Sequence, residues 1–279
     1  MRVLILGGTG MLGHKLCQRF RDRFDTWVTT RGSLDYPVHE AIFPEHVICK
    51  VDVSNFDDVI KAMALAEPHI VVNCVGVIKQ LLSDPMTFIS INSLYPHKLA
   101  NLCRACDARL IHISTDCVFS GEKGWYNESD KTDATDLYGM TKRLGEVPAP
   151  ALTLRTSIIG PELNTKNGLL EWFLSQSKCK GFERAIFTGF TTRALSDIIA
   201  GVIEYHPQLS GIWHVSSDPI SKANLLRLIK RVYNLDTDIE PDESFVCDRS
   251  LDSKKFRNEV GFEPKSWQQM IEEMHWDAV

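Results

Sequence analysis

The chain has 279 residues, of which 44% are hydrophobic and 24% are charged, with a formal net charge of -5. These values are ordinary for a globular protein large enough to bury a sizeable core, and the acidic balance does not favour nucleic acid or an anionic membrane as a partner. No apolar run approaches the roughly 18 residues of a membrane span, and the N-terminus lacks a secretory cleavage pattern, so we expect a cytoplasmic protein.

Eight cysteines are scattered along the chain, most of them in apolar segments. This distribution is typical of reduced, buried thiols rather than of a disulfide framework. Cys103 and Cys106 form a C-x-x-C pair, but the segment around them has a helical pattern. We therefore favour packed helix residues over a zinc or redox site, and we predict no metal centre.

Strand and helix patterns alternate over the first 160 residues. Short apolar or β-branched runs predict strands at 3–6, 26–30, 47–51, 69–76, 109–114 and 151–160. Helical spacing predicts helices at 11–20, 56–66, 86–106 and 137–146. This alternation indicates right-handed crossovers and an α/β fold with a doubly wound parallel sheet of the Rossmann type.

The pattern loosens after about residue 160. Helical segments are predicted at 168–177, 195–206, 222–233 and 267–274, with one more strand at 211–216. We predict a smaller, mostly helical C-terminal lobe that holds the substrate. The predicted boundaries assign 1–157 and 190–216 to the Rossmann domain, and 158–189 and 217–279 to the lobe.

The stretch LILGGTGMLGHKL places Gly7, Gly10 and Gly13 between the first predicted strand and the first predicted helix. Gly7 allows a tight turn, Gly10 lets the backbone approach a pyrophosphate, and Gly13 lets the helix lie against the strand. The helix N-terminus then offers unpaired N–H groups to the phosphates. A dinucleotide site is the favoured interpretation, and an ordinary strand–turn–helix is the alternative.

The residue after the second strand indicates which dinucleotide binds. The strand ends at Thr29 and Thr30 and is followed by Arg31, whose guanidinium can pair with a 2′-phosphate. We therefore favour NADPH over NADH. Asp35 lies slightly further on and could still reach a ribose, and Arg31 could be a solvated loop charge.

Polar residues end the strand at 109–114. Ser114, Thr115 and Asp116 follow an apolar run, and we expect them to face a reacting group in the ligand crevice of the sheet. Tyr138 and Lys142 are spaced i and i+4, which places them on one face of a helix.

These residues suggest acid–base chemistry. Tyr138 would transfer a proton, Thr115 would hold the substrate oxygen, and the Lys142 ammonium would lower the pKa of Tyr138 or bind the nicotinamide ribose. The alternatives are a surface helix pair for Tyr138 and Lys142, and a loop-capping role for Asp116.

In combination, several stretches resemble the extended short-chain dehydrogenase/reductase family, and most closely its dTDP-4-dehydrorhamnose reductase branch, which reduces 4-keto-6-deoxy sugar nucleotides. They are GGTGMLGHKL, VVNCVG, STDCVFSGEKGWYNESD, LYGMTKRLGE, LRTSIIG and GIWHVSS. The tail SLDSKKFRNEVGFEPKSW resembles sugar-nucleotide reductases more loosely.

The resemblance implies roles by position. The catalytic residues would be Thr115, Tyr138 and Lys142, and of these Tyr138 and Lys142 would also contact the cofactor. The phosphate turn would comprise Gly7, Thr9, Gly10, Met11, Leu12 and Gly13. Asp52 and Val53 would contact adenine, and Cys74, Val75 and Gly76 would line the nicotinamide ribose. Asn92 would support the active site, although an ordinary polar residue inside a helix is the alternative.

Three stretches depart from the pattern of this branch. Cys117 stands where a tyrosine is common, VGVIKQ replaces the usual loop after the fourth strand, and FTGFTTRALSDI is a variant of the substrate-side segment. These departures leave the sugar and the nucleoside diphosphate undetermined.

Candidate substrate-binding residues are polar side chains outside the glycine turn. They are Lys79, Asp116, Asn167, Arg193 and Arg249. The two arginines could bind a diphosphate, because guanidinium forks match phosphate oxygens. Each of these residues could instead be a solvated charge or a loop cap.

The leading hypothesis is an NADPH-dependent reductase of a dTDP- or UDP-linked 4-keto-6-deoxy sugar, which the resemblance connects to deoxysugar and surface polysaccharide biosynthesis. Two alternatives stay open. One is an epimerase or dehydratase that retains NAD and uses Asp116 as an acid–base group. The other is a non-catalytic regulatory subunit, such as the one that partners methionine adenosyltransferase. The expected partner is the sugar-nucleotide substrate, and a homodimer is also open.

Overall fold

The computed structural model describes residues 1–33, 42–79 and 84–277. Its strands, in chain order, are β1 (Arg2–Leu6), β2 (Asp25–Thr29), β3 (His46–Ile48), β4 (Ile70–Asn73), β5 (Arg109–Ile113), β6 (Leu152–Arg155), β7 (Ile158–Ile159), β8 (Lys178–Phe187), β9 (Phe190–Thr191), β10 (Gly211–His214), β11 (Ile220–Ser221) and β12 (Asp238–Asp248). Its α-helices are α1 (Met11–Phe20), α2 (Phe56–Ala66), α3 (Pro85–Phe88), α4 (Tyr95–Ala105), α5 (Leu137–Leu144), α6 (Leu169–Leu174), α7 (Thr192–Tyr205), α8 (Lys222–Val232), α9 (Lys254–Val260) and α10 (Trp267–Trp276). A π-helix, Ile89–Leu94, joins α3 to α4, and a 3-10 turn, Asp116–Val118, follows β5.

The central sheet has seven parallel strands in the order β10-β6-β5-β4-β1-β2-β3. This order confirms the predicted doubly wound Rossmann sheet. The chain runs outward from β1 in one direction and then from β4 in the other, so the topological switch point lies between β1 and β4. Ligands of such sheets bind outside the carboxyl ends of the strands at this point.

Alternation along the strands supplies two cores, one on each face of the sheet. Val3 and Ile5 of β1 belong to one buried cluster, and Leu4 and Leu6 belong to the other. Every residue of β4 is buried, as expected for a strand covered on both faces. The sheet therefore provides a rigid base for the polar residues at its carboxyl edge.

Within the segments predicted to form the smaller lobe, the structure has a three-stranded sheet in the order β11-β8-β12. The expectation of a mostly helical lobe missed this sheet. Strand β12 includes Pro241 and is largely exposed, and its acidic residues interrupt any clear alternation. The helical segments predicted at 168–177 and 222–233 contain α6 and α8, and the segment predicted at 267–274 lies within α10, so all three are confirmed. The predicted domain boundaries stay a prediction.

The predicted strand at 151–160 is divided in the structure. Strand β6 belongs to the central sheet, whereas β7 pairs with β9 in a separate two-stranded sheet. All eight cysteines are free thiols, and Cys103 is packed on α4 while Cys106 is exposed at its end. Within the described ranges, no helix is both long enough and apolar enough to cross a bilayer.

Candidate active site

The glycine turn lies between β1 and α1, beside the switch point. Gly7 has a φ of +87°, in the left-handed region that favours glycine. A Cβ on Gly13 would lie 2.1 Å from the Gly7 carbonyl oxygen, so a side chain there would force the helix away from the turn. The Gly10 amide donates to the same carbonyl at 3.1 Å, which closes the turn.

The N-terminus of α1 is suited to an anion. Its N-cap, Gly10, has no side chain to satisfy the first amides, and the first turn carries no acidic residue. Exposed amides and the positive end of the helix dipole favour a phosphate. The turn therefore fits the pyrophosphate of a dinucleotide on steric and electrostatic grounds.

Arg31 follows β2 at the same edge and is exposed. Hydrogen bonds from the Ser54 amide and hydroxyl, and then the charge of Arg31, hold the pKa of Asp52 below its usual range. Arg31 and Asp52 are thus close enough to interact beside the end of the second strand. Asp35, the possible ribose contact, lies outside the described residues.

The loop after β4 leads towards the predicted catalytic lysine. The Asn73 side chain accepts a hydrogen bond from the Val75 amide at 3.1 Å and so fixes the start of this loop. A Cβ on Gly76 would lie 3.9 Å from Lys142 Nζ and 3.5 Å from Asn92 Oδ1. Gly76 therefore lies next to Lys142 and Asn92, where the resemblance predicts the nicotinamide ribose.

Asn92 lies in the π-helix, where the helix between α3 and α4 is widened. Its amide group bonds both polar atoms of the Val77 backbone, accepting from N–H at 2.9 Å and donating to C=O at 3.0 Å. It also contacts the Thr141 hydroxyl at 3.5 Å. Asn92 thus joins the loop after β4 to α5, a positioning role that agrees with the one implied by the resemblance.

The three polar residues after β5 do not share one function. Ser114 donates to the buried Glu146 carboxylate at 2.8 Å, so the expectation that it faces a reacting group is wrong. Glu146 also forms a buried ion pair with Arg155 at 2.7 Å. Thr115 donates to Asp116 at 3.1 Å and accepts from the Cys117 amide at 3.1 Å. These two bonds fix the orientation of the Thr115 hydroxyl.

Helix α5 carries the tyrosine and the lysine to this position. It begins after Asp136, whose carboxylate caps it by accepting from the Gly139 amide at 2.9 Å. The Lys142 ammonium is buried and donates to the Ile113 carbonyl at 2.8 Å, at the carboxyl end of β5. Tyr138 lies one turn earlier on the same helix face and is half-buried.

The pKa shifts differ from the sequence-based expectation. Burial raises the pKa of the Tyr138 phenol, Cys117 adds to the rise, and hydrogen bonding with Thr115 opposes it. Lys142 is not among the groups that set this pKa, so the expected lowering by Lys142 is not seen. Burial lowers the pKa of Lys142 itself to about 8, although Glu146 partly opposes the shift.

The described residues on the lobe side of Tyr138 are strongly charged. Lys79 lies 5.6 Å from the centre of the Tyr138 ring and bonds Asp136 at 2.8 Å. Arg249 donates to Cys117 Sγ at 3.5 Å and approaches Asp136 at 3.9 Å. Two predicted substrate residues, Lys79 and Arg249, therefore converge on the candidate catalytic site from distant parts of the sequence.

Asp116 lies beside Thr115, and the remaining two candidates, Asn167 and Arg193, lie elsewhere. The backbone amide of Asn167 donates to the Glu162 carboxylate at 2.7 Å. The next residue of this loop, Gly168, lies against Met11 beside the glycine turn. Arg193 of α7 pairs with Asp277 at 3.1 Å and lies 3.6 Å from a Glu273 carboxylate oxygen. Its guanidinium therefore joins α7 to the end of α10. This placement gives Arg193 a structural contact in place of the predicted diphosphate contact.

The sequence interpretation missed three residues of this region. Asp136 could be identified from the sequence, because an aspartate directly before a helical pattern is a typical N-cap. Glu146 and Lys222 have no local signal, since their relation to the site arises only from the tertiary fold. Asp116 and Cys117 act electrostatically on Lys222 and oppose the lowering of its pKa by burial.

A glycine turn at the switch point of a doubly wound sheet, followed by a Tyr-x-x-x-Lys helix at the same edge, defines a nucleotide-binding protein of the short-chain dehydrogenase/reductase class. The family model described as the RmlD substrate binding domain matches residues 1–279. The chain belongs to this family, within the extended short-chain dehydrogenases/reductases, as the resemblance predicted.

Three comparisons illustrate the relationship. The dTDP-4-dehydrorhamnose reductase of Streptomyces griseus is 34% identical over 148 residues, which cover 52% of this chain and 43%, less than half, of that protein. A probable low-salt glycan biosynthesis reductase of Haloferax volcanii is 27% identical over 242 residues, covering 78% of this chain and 75% of the relative. The structure of a Bacillus anthracis dTDP-4-dehydrorhamnose reductase in complex with NADP has a TM-score of 0.82 at 21% identity, covering 100% of this chain and 99% of the other.

Proposed function

We propose that the protein is an NADPH-dependent oxidoreductase that reduces a keto-sugar linked to a nucleoside diphosphate. One observation carries the proposal: Thr115, Tyr138 and Lys142 lie together at the carboxyl edge of the sheet. The printed names of the Streptomyces griseus and Haloferax volcanii relatives, both reductases, support the same reaction class.

The residues of the sheet edge fit NADPH. The glycine turn (Gly7, Thr9, Gly10, Met11, Leu12 and Gly13) would hold the pyrophosphate, and Arg31 would pair with the 2′-phosphate. Asp52 and Val53 would contact adenine, and Cys74, Val75 and Gly76 would line the nicotinamide ribose. When bound, the cofactor supplies a hydride to the sugar carbonyl.

The chain itself supplies the proton and the orientation. Because burial raises its pKa, Tyr138 stays protonated at neutral pH and donates its proton to the carbonyl oxygen as negative charge develops there. Thr115, held by the Cys117 amide, turns its single hydroxyl proton from Asp116 to the same oxygen when the substrate binds. Lys142, held by the Ile113 carbonyl, binds the ribose hydroxyls and keeps the cofactor beside Tyr138.

For the substrate, the proposal specifies a 4-keto-6-deoxyhexose carried on dTDP or UDP, with Lys79 and Arg249 on the phosphate side and Asp116 beside the sugar. Such a product serves deoxysugar and surface polysaccharide biosynthesis. The eight free thiols are compatible with a reducing compartment, which in this proposal is the cytoplasm. A homodimer remains open.

The test is consumption of NADPH in the presence of dTDP- and UDP-linked 4-keto-6-deoxyhexoses, followed by the absorbance of the reduced nicotinamide. We expect turnover with at least one of these substrates, and faster turnover with NADPH than with NADH. Binding of NADPH without turnover of any of them would contradict the proposal.

Two other results would favour the alternatives. Purification with tightly retained NAD, and isomerised or dehydrated sugar as product, would favour an epimerase or dehydratase. Stoichiometric capture of another enzyme by an inactive chain would favour a regulatory subunit.

A further inference from the structure

Lys222 lies beside the candidate site but has no part in the chemistry described above. It follows Ser221, which pairs with Ile186 of the central strand of the small sheet. On the other side of that strand, Cys247 pairs with Ala185. The small sheet therefore brings Lys222 and the end of β12 to the same end of strand β8.

This end of the small sheet is joined to the segment that follows Thr115. The Asp248 amide donates to the Gly121 carbonyl at 2.8 Å, and the Arg249 guanidinium donates to the Phe119 carbonyl at 2.9 Å. A Cβ on Gly121 would lie 2.7 Å from Cys247 Sγ, so the two segments are in close contact. Lys222 therefore lies on a surface that closes one side of the Tyr138 site.

The Lys222 ammonium has an aromatic ring on one side and the site on the other. Its Nζ lies 3.9 Å from the centre of the Phe187 ring. The charged or ionisable groups that act on it are Asp116, Cys117 and Cys247, and the first two also act on Tyr138. Burial lowers the pKa of Lys222, and Asp116 is the largest influence that opposes this shift.

Lys222 differs from the two other cations of the lobe side in its pairing. Lys79 and Arg249 both lie within 4.0 Å of Asp136. Within residues 1–33, 42–79 and 84–277, no carboxylate oxygen forms an ion pair with Lys222 at that distance. A partly buried ammonium without an ion-pair partner is unfavourable, and an anionic ligand would provide the missing partner.

The charge balance agrees with this interpretation. Among the five charged groups named around Tyr138, Lys79, Lys222 and Arg249 provide three positive charges, and Asp116 and Asp136 provide two negative ones, an excess of one positive charge. In a nucleotide-linked hexose, the phosphate is attached to the same ring as the carbonyl that faces Tyr138. When that carbonyl faces Tyr138, the phosphates of the same ligand therefore come close to the cations around Tyr138.

We propose that Lys222 is a specificity-determining residue that binds the diphosphate of the substrate. This inference rests on the proposed function and adds a contact that gives preference to diphosphate over uncharged sugar ligands. A diphosphate between Lys222 and Arg249 would supply the ion-pair partner that Lys222 lacks.

Three variants separate this role from packing. Lys222→Met keeps the stem over Phe187 and removes the charge, and Lys222→Arg keeps the charge. Lys230→Met, in the last turn of the same helix, is the matched control. Each full-length protein is titrated calorimetrically with UDP, with dTDP and with NADPH, and the nucleotide titrations are repeated at several KCl concentrations.

We expect Lys222→Met to bind UDP and dTDP about tenfold more weakly, because a hydrogen bond to a charged group is lost, and to bind NADPH unchanged. Its nucleotide affinity should depend less steeply on salt than that of the parent, a change that loss of packing would not produce. Lys222→Arg and Lys230→Met should retain the parental affinity.

The outcomes distinguish the two proposals. If the parent binds UDP or dTDP and Lys222→Met binds it within twofold of the parent, the assignment of Lys222 is wrong while the proposed function stands. Equal losses of nucleotide and NADPH affinity would also refute the assignment, because they indicate a general structural defect. If the parent binds NADPH but neither nucleotide, the proposed function fails and the assignment fails with it.

Discussion

The two sides of the Tyr138 ring are built on different physical principles. On the sheet side, Lys142 and Asn92 are buried and are held by backbone atoms, at 2.8 Å from the Ile113 carbonyl and 2.9 Å from the Val77 amide. On the lobe side, Lys79, Asp136 and Arg249 form ion pairs that are partly exposed to solvent.

This difference indicates that the two sides have different functions. Backbone hydrogen bonds in a buried setting fix geometry, which suits a cofactor that must be placed in one orientation. Partly exposed ion pairs contribute little stability. A residue can therefore leave its ion-pair partner and bind a ligand at a small cost in free energy. We infer that the sheet side positions the cofactor and that the lobe side selects the substrate.

The largest effect should come from the group that both sides share. Tyr138→Phe removes the phenolic proton donor and leaves the ring in place. Because general acid catalysis contributes about 10²- to 10⁴-fold, we expect kcat to fall by that factor. Affinities for NADPH and for nucleoside diphosphate, measured by titration, should change little.

Tyr205→Phe is the matched control, since Tyr205 is an exposed residue at the end of α7. It should retain full activity. A Tyr138→Phe variant with near-parental kcat would show that another group donates the proton. Tyr138 would then not be the catalytic group shared by the two sides.

The second prediction concerns the sheet side alone. Gly13→Ala places a Cβ 2.1 Å from the Gly7 carbonyl oxygen, so the turn or the helix must move. Overpacking of this kind costs about 1–3 kcal/mol, and we expect NADPH affinity to fall by a corresponding 5- to 150-fold. UDP or dTDP affinity should be nearly unchanged.

Gly201→Ala provides the control for this variant. It lies in α7, where an added Cβ meets no atom within 4 Å. Alanine is the better helix former, so this variant should be as stable as the parent or more stable in thermal unfolding. Parental NADPH affinity in Gly13→Ala would argue against the glycine turn as the pyrophosphate site.

Much of the sheet side could be predicted from the sequence because its signals are local. The predicted helices at 11–20 and 56–66 coincide with α1 and α2. The glycine spacing and the i, i+4 tyrosine and lysine depend only on neighbouring residues. The π-helix around Asn92 was missed, since a widened turn leaves the apolar pattern of a long helix intact.

The lobe side was harder to predict because it is assembled from distant segments. Lys79 and Arg249 could be named as charged candidates, but their meeting at Asp136 depends on the docking of β12 against the segment after β5. Lys222 was not named at all. The partner of Ser114, the buried Glu146, was equally hidden from local patterns.

The third prediction concerns the lobe side alone. Arg249→Met removes the guanidinium near Asp136 and Cys117 while keeping an unbranched side chain. We expect about a tenfold loss of UDP or dTDP affinity, in the range for a hydrogen bond to a charged group, with NADPH affinity unchanged. Arg227→Met, an exposed arginine of α8 paired with Glu183, is the control. Equal weakening of NADPH binding would contradict the division between the two sides.

The smallest effect should be a pH dependence that belongs to the sheet side. Burial lowers the pKa of Lys142 to about 8, below its ordinary value, so its ammonium is charged below that pH and loses its proton as the pH rises through it. A neutral amine binds the ribose hydroxyls less strongly. We therefore expect NADPH affinity to fall by up to about tenfold between pH 7 and pH 9.

Two measurements isolate this effect. Tyr138 should not contribute to it, because burial raises the pKa of the phenol and keeps it protonated over this range. Lys61→Met, an exposed lysine of α2 that pairs with Asp58 and not with Lys142, should show the parental pH profile. In a Lys142→Met variant, NADPH affinity should be low and independent of pH. If that variant kept the parental pH profile, Lys142 would not be the titrating group, and the sheet side would owe its affinity to backbone geometry alone.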